Sequence, residues 1–238
     1  MTHYPISFYC REGINPILNK FPDVRDLKAV LFDFDGVVVQ SEEVYDRATR
    51  KLGELYKVDI PKSFVDANRG VAESVFYEQF KSTFKLDVKE KDLQDNGRRL
   101  LWSEFSTSVK FTPGFQQFFS KVLMNVNQTA LVTATPRPLL EEIFQKSQIK
   151  VNFDHIVTSS EVQKTKPAPD PYLKACKLLQ VDPEQTLVIE DSPTGLRSAT
   201  VAGCQTVAIT TSCSRDSLKE ANFIVDSFGE LEELLTIV

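Results

Sequence analysis

The chain has 238 residues, 42% of them hydrophobic, and a formal net charge of −5, a size that holds one large or two modest domains around a substantial core. The acidic balance argues against a nucleic-acid partner, which needs a broad basic face, but leaves room for a small phosphate ester in a local pocket. No apolar run approaches the length needed to span a bilayer, and no basic stretch followed by an apolar core opens the chain, so the expectation is no membrane partner and a cytoplasmic location.

Residues 1–27 carry three prolines and scattered aromatics without a period; they are read as an N-terminal arm without an assigned role. Residues 29–40, AVLFDFDGVVVQ, begin as a Val/Leu/Phe-rich strand of the kind buried on both faces. Asp33 and Asp35 flank Phe34, and side chains at i and i+2 of a strand share a side, so both carboxylates are expected to converge at its C-terminal end. Gly36 lets the backbone turn sharply or approach a ligand closely. Ser41 reads as a helix N-cap, followed by Val44, Ala48, Leu52 and Leu55 at helical spacing. Further helical patterns cover 72–84 and 89–105. Their aromatics (Phe76, Tyr77, Phe80, Phe84, Trp102, Phe105) are most simply a small core.

From residue 112 onward strands alternate with helices. Strands are predicted at 129–133, 155–158, 186–189, 205–209 and 223–225, and helices at 138–145, from Pro171 onward with Asp170 as N-cap, and at 194–202. Such alternation implies α/β architecture: a Rossmann-like parallel sheet with helices on both faces. The predicted core is 28–41 with 111–238, and 42–110 is an all-helical cap inserted after the first strand. Ligand crevices in open α/β sheets lie outside the C-terminal strand ends, where the inserted helices leave the core and are placed to act as a lid.

Four cysteines (Cys10, Cys176, Cys204, Cys213) form no C-x-x-C pair, and there are two histidines, His3 and His155. A structural zinc site is therefore not expected, and the thiols read as reduced, with Cys176 and Cys204 in the core. A Ser–His or Cys–His pair would rest on His155 alone, at a strand entrance.

Three further segments stand at predicted strand ends. In LVTAT, Thr133 offers a hydroxyl, and the backbone N–H groups that follow, Ala134 first, can face an anion. In KTKPAPDP, Lys166 sits on a proline-stiffened loop. In VIEDSPTG, Glu190 and Asp191 follow a buried-type strand directly. Each alone reads blandly, as a turn threonine, a solvated lysine or a helix-N-terminal acid pair. Together they crowd Asp33, Asp35, Glu190 and Asp191 at one sheet edge. Two like charges ~4 Å apart repel by roughly 4 kcal/mol near a protein surface. A divalent cation relieves that, and oxygen ligands with room for water suit Mg²⁺.

With these four segments in order, the sequence resembles the haloacid dehalogenase superfamily in its phosphatase and phosphohexomutase branch. The resemblance implies that Asp33 is a nucleophile forming an aspartyl-phosphate, and that Asp35 protonates the leaving oxygen and then activates water. It implies that Thr133 and Lys166 hold phosphoryl oxygens, with Gly36 and Ala134 close by. Mg²⁺ would be bound by the Asp33 carboxylate, the Asp35 carbonyl and Asp191, with Glu190 acting through water or from behind. Asp35 argues against dehalogenation, since the family's dehalogenases lack that second acid. The implied activity is hydrolysis of a small phosphorylated metabolite. The alternatives are a beta-phosphoglucomutase-like mutase and a non-catalytic binding protein. The mutase pattern has a histidine and an arginine where this chain has Tyr45 and Glu73, although Arg69 is a possible substitute. Arg69, Glu73, Arg98, Arg99, Trp102 and Lys110 are the candidates to contact a substrate from the cap.

Overall fold

Six parallel strands organise the computed structural model, which describes residues 27–68, 73–126 and 128–235. They are β1 (Ala29–Phe32), β2 (Gln128–Val132), β3 (His155–Val157), β4 (Thr186–Glu190), β5 (Gln205–Ile209) and β6 (Phe223–Val225), in the spatial order β3-β2-β1-β4-β5-β6. In chain order the described helices are α1 (Glu42–Tyr56), α2 (Lys62–Ala67), α3 (Glu73–Thr83), α4 (Glu90–Ser108), α5 (Phe115–Asn125), α6 (Arg137–Lys146), α7 (Asp170–Leu179), α8 (Pro193–Ala202) and α9 (Phe228–Leu234). The chain divides into two compact units: one built from the described residues up to Val39 with Phe111–Arg137 and Val151–Val238, the other from Gln40–Lys110 and Pro138–Lys150.

In the sheet unit, β1 is central. Phe32 lies opposite Leu131 of β2 on one side and Ile189 of β4 on the other. All residues of β1 and β4 are buried, as a parallel sheet covered on both faces requires. The strand's period of two divides its side chains between two cores. Ala29 and Leu31 join Tyr172, Ala175, Cys176 and Leu179 of α7 and Ala199 of α8. Phe32 points the other way, into a ring cluster with Phe115, Phe118 and Phe119 of α5 and Phe153, and Phe228 of α9 packs on Phe115 and Phe118. Cys176 and Cys204 are buried free thiols in the first core. His155 opens β3, half-buried.

The helical unit has its own core, in which Phe64, Phe80 and Phe84 meet with ring centroids 5.0–5.7 Å apart, joined by Leu52, Ile60, Tyr77 and Leu93 and flanked by Phe76. Phe105 is buried edge-on to Tyr45, while Trp102 is half-buried. The buried carboxylate of Glu104 on α4 accepts from Arg47 Nε at 2.9 Å and from Lys51 Nζ, both on α1.

Several local expectations need correction. β1 ends at Phe32, so Asp33 and Asp35 lie beyond the strand and its alternation does not place them. Ser41 occupies the N-cap of α1, but its side chain makes no capping bond; its carbonyl accepts from the N–H groups of Val44 and Tyr45. The α1 stripe stops at Leu52, since Leu55 is exposed. α7 starts at Asp170 behind Pro169, one residue earlier than Asp170 as a cap implies. Residues 138–150 group with the helical unit in the division into compact units. Helices α5 and α9 lie outside the predicted elements, although both carry apolar faces. Among the described residues no helix is long and apolar enough to cross a membrane.

Phe80 is fully buried among three rings. Phe80→Ala is expected to destabilise the helical unit by about 3–5 kcal/mol, read as a lower urea midpoint, whereas Met124→Ala, at a side chain 71% exposed, should change stability by less than about 0.5 kcal/mol. Equal effects of the two would contradict this account of the core.

Candidate active site

The backbone after β1 turns within a few residues. Asp33 N–H still donates to Ile189 O at 3.0 Å, extending the ladder by one step. Val38 and Val39 N–H then both donate to Phe34 O, and Gly36 N–H donates to Val39 O at 2.8 Å. Thr112 pins the turn by donating its N–H to Val38 O and its hydroxyl to Gly36 O. The two carboxylates take different partners. Asp33 faces Lys166, and Asp35 Oδ2 accepts a hydrogen bond from Thr135 Oγ1 at 2.9 Å.

Lys166 is the cation that faces Asp33 and Glu190. Its Nζ donates to Asp33 Oδ1 at 2.5 Å, to Glu190 Oε1 at 2.7 Å and to Val132 O at 2.9 Å, which uses its three protons. The ammonium also sits 5.0 Å from the Tyr172 ring centroid, within cation–π range. Burial works against its charge, but Asp33 and Glu190 outweigh that and hold its pKa above the ordinary lysine value.

Glu190, at the end of β4, is fully buried. Its Oε1 accepts from Lys166 and from Tyr172 Oη at 2.8 Å. Its Oε2 accepts from Asp191 N–H, Ser192 N–H and Ser192 Oγ, at 3.0–3.2 Å. Gly195 makes room for this carboxylate: a Cβ there would lie 1.7 Å from Glu190 Oε1. Ser192 Oγ also accepts from Gly195 N–H and caps α8. The next residue, Asp191, is buried, with Oδ2 bonded by Ser212 Oγ and, at 3.4 Å, by Thr211 Oγ1. Gly36 adopts φ +76°, and a Cβ there would stand 1.6 Å from Asp191 Oδ2. The turn after β1 and the turn after β4 therefore meet at a glycine.

Asp33, Glu190 and Asp191 each place one carboxylate oxygen within 4.8 Å of the others. Burial first, and then the charge on Glu190, push Asp33 up to about 8, against the opposing pull of Lys166. Burial, reinforced by Asp33 and Glu190, likewise raises Asp191 well above the usual carboxylate range, with Ser212 opposing. One ammonium does not neutralise this cluster. A hard divalent cation with oxygen ligands fits the deficit. Asp33 and Asp191 are the carboxylates available to hold it; Glu190 is committed to Lys166, Tyr172 and the start of α8.

Thr133, at the end of β2, is buried, and its hydroxyl accepts from Thr135 N–H at 2.9 Å, which leaves its own O–H to donate. Ala134 is exposed in the turn between them. Arg69 lies outside the described residues. Of the other cap candidates, Glu73 is gripped at both oxygens by Arg98, at 2.7 and 2.9 Å. Arg99 donates to Asn96, and Lys110 is exposed.

Sequence reasoning missed Thr135, Tyr172, Gly195, Thr211 and Ser212. Tyr172 falls in the apolar stripe of α7, but a buried tyrosine needs a partner for its hydroxyl. A glycine inside a helix, at about 1 kcal/mol against alanine, signals a packing reason. The Thr211–Ser212 pair follows the C-terminal end of a sheet strand, where ligand sites of such folds lie.

Residues 30–209 match the haloacid dehalogenase-like hydrolase family. A phosphorylated carbohydrates phosphatase of Thermotoga maritima is 29% identical over 185 residues, covering 76% of this chain and 84% of that protein. A validoxylamine A 7'-phosphate phosphatase of Streptomyces hygroscopicus subsp. limoneus is 26% identical over 210 residues, covering 86% and 95%. In fold, the chain resembles a mutant CbbY of Rhodobacter sphaeroides, solved in complex with xylulose-(1,5)bisphosphate, at a TM-score of 0.75 and 23% identity over 88% of this chain and 99% of that one. The family match spans β1 to β5, and with it every buried acid described above, so the chain belongs to the haloacid dehalogenase-like hydrolases.

Proposed function

We propose that this chain hydrolyses phosphate monoesters of small phosphorylated carbohydrates, with Mg²⁺, through an aspartyl-phosphate on Asp33. The observation that carries the reading is the buried Asp33 carboxylate held 2.5 Å from Lys166 Nζ inside an acidic cluster that one ammonium cannot neutralise. The names of the two phosphatase relatives support the carbohydrate class, and the buried free thiols accord with a reducing cytoplasm.

In this mechanism an Asp33 oxygen attacks phosphorus, and the bond from phosphorus to the ester oxygen breaks. Asp35 gives its proton to the departing oxygen. Water then attacks the aspartyl-phosphate and yields its proton to Asp35, and the acyl phosphate bond breaks to release inorganic phosphate and restore Asp33. Lys166 and the Thr133 hydroxyl hold the non-bridging oxygens, so positioning and charge stabilisation do most of the work. The Asp33 carboxylate, the Asp35 carbonyl and Asp191 would hold Mg²⁺, which would supply the charge that keeps Asp33 ionised beside a phosphoryl group. Glu190 fixes Lys166.

Asp33→Asn should keep its circular dichroism spectrum and lose phosphate release by ~10³-fold or more, as loss of a nucleophile does; wild-type turnover in that variant would overturn the reading. Given glucose 1-phosphate, the protein should form free phosphate. Accumulation of glucose 6-phosphate instead would make it a mutase.

The raised Asp33 pKa predicts a sign. Between the ordinary value of 3.8 and about 8 the metal-free native state binds a proton that the unfolded chain has released. Stability of the metal-free protein therefore falls as pH rises through that window, and Asp33→Asn flattens the profile. By the same linkage Mg²⁺ affinity rises with pH toward about 8, with proton release on binding. Calorimetric titration in buffers of different ionisation enthalpy measures the released proton; metal binding without proton release near neutral pH would contradict the scheme.

A further inference from the structure

We propose that Thr135 is a positioning residue for Asp35, fixing which carboxyl oxygen gives its proton to the leaving group; the inference rests on the phosphate-ester reading above. Thr135 is 4% exposed, and its hydroxyl donates to Asp35 Oδ2 at 2.9 Å, from the turn after β2 to the turn after β1. Its backbone N–H donates to Thr133 Oγ1 at 2.9 Å. One residue thus touches both the assigned proton donor and the hydroxyl assigned to the phosphoryl group.

The chemistry follows from the direction of the bond. A hydroxyl offers one proton, and here it goes to Asp35 Oδ2. Oδ2 is thereby engaged by Thr135, which makes Oδ1 the oxygen assigned to the leaving group. Rotation of the carboxyl group about its Cβ–Cγ bond would break the contact, so the proton is carried in one orientation. Because Thr135 N–H also restrains Thr133, the acid and the phosphoryl-binding hydroxyl keep one relative geometry. General acid catalysis depends on such alignment and is worth ~10²–10⁴-fold when the leaving group is a poor one. Thr135 itself transfers no proton to substrate.

The test compares two esters of similar shape, 4-nitrophenyl phosphate and phenyl phosphate, at saturating Mg²⁺. The phenol of the second is the weaker acid, so its departure needs protonation more. The readout is kcat/KM, which reports the steps up to leaving-group departure and excludes the later water attack. Thr135→Val keeps the branched shape and removes the O–H; Thr135→Ala replaces it if the valine variant does not fold. The expected result is a loss on phenyl phosphate at least ~5-fold greater than on 4-nitrophenyl phosphate, with Thr135→Ser restoring the wild-type ratio. An equal loss on both esters marks a structural role and overturns the proposal, as does an unchanged ratio or failure of serine to restore it. Wild-type protein that hydrolyses neither ester sinks the phosphatase reading itself and this inference with it, an outcome distinct from an unchanged ratio.

Discussion

A single ammonium shared among buried carboxylates sets the terms for the rest of the site. Lys166 satisfies Asp33, Glu190 and the Val132 carbonyl at once, and it is held there by a ring on one side and a fully bonded glutamate on the other. Removing one partner of a buried ion pair leaves an uncompensated charge, typically at about 3–5 kcal/mol. Glu190 therefore has a clear physical role apart from any ligand it helps to bind: it anchors the lysine, so that Asp33 meets a cation in a fixed place.

The sheet makes this arrangement possible. The residues that meet come from the C-terminal ends of β1, β2, β4 and β5 and from the loop that follows β3. Parallel pairing brings those ends to one edge in register, with Phe32 beside Leu131 and Ile189. Two glycines then remove the side chains that would hold the turns apart. A methyl at Gly36 would overlap Asp191, and one at Gly195 would overlap Glu190. Close packing of charged groups here thus depends on what the sequence omits as much as on what it supplies.

What could be read from the chain beforehand followed from the reach of each signal. Apolar runs and their spacing gave the strands and the helical insertion, because burial on two faces or on one stripe leaves a periodic trace. The acids and the lysine stood out because charge beside a buried-type strand is unusual. Strand alternation alone does not place Asp33 and Asp35, because β1 ends at Phe32 and the chain turns: Thr112 pins the turn through Gly36 O and Thr135 bonds the Asp35 carboxylate, while the charge of Asp35 still acts on Asp33. Tyr172, Ser212 and Thr135 escaped notice because a hydroxyl in a sequence looks the same whether it faces water or a buried carboxylate. Their partners lie 18, 21 and 100 residues away, and no local pattern records such pairings.

Those hydroxyls explain how the cluster stays both ordered and undercharged. Asp35 is bonded by Thr135, Glu190 by Tyr172 and Ser192, and Asp191 by Ser212 and Thr211. A neutral donor orients a carboxylate and offsets part of its desolvation without cancelling its charge. Guanidinium or ammonium groups in those places would bind the acids more strongly, but they would also fill the electrostatic deficit and leave nothing to attract a cation. If the site binds a cation and then a phosphoryl group, as proposed, the acids that hold the cation must be fixed in place without a cationic side chain on each. Neutral hydroxyls on Asp35, Glu190 and Asp191, with one lysine shared between Asp33 and Glu190, meet both conditions.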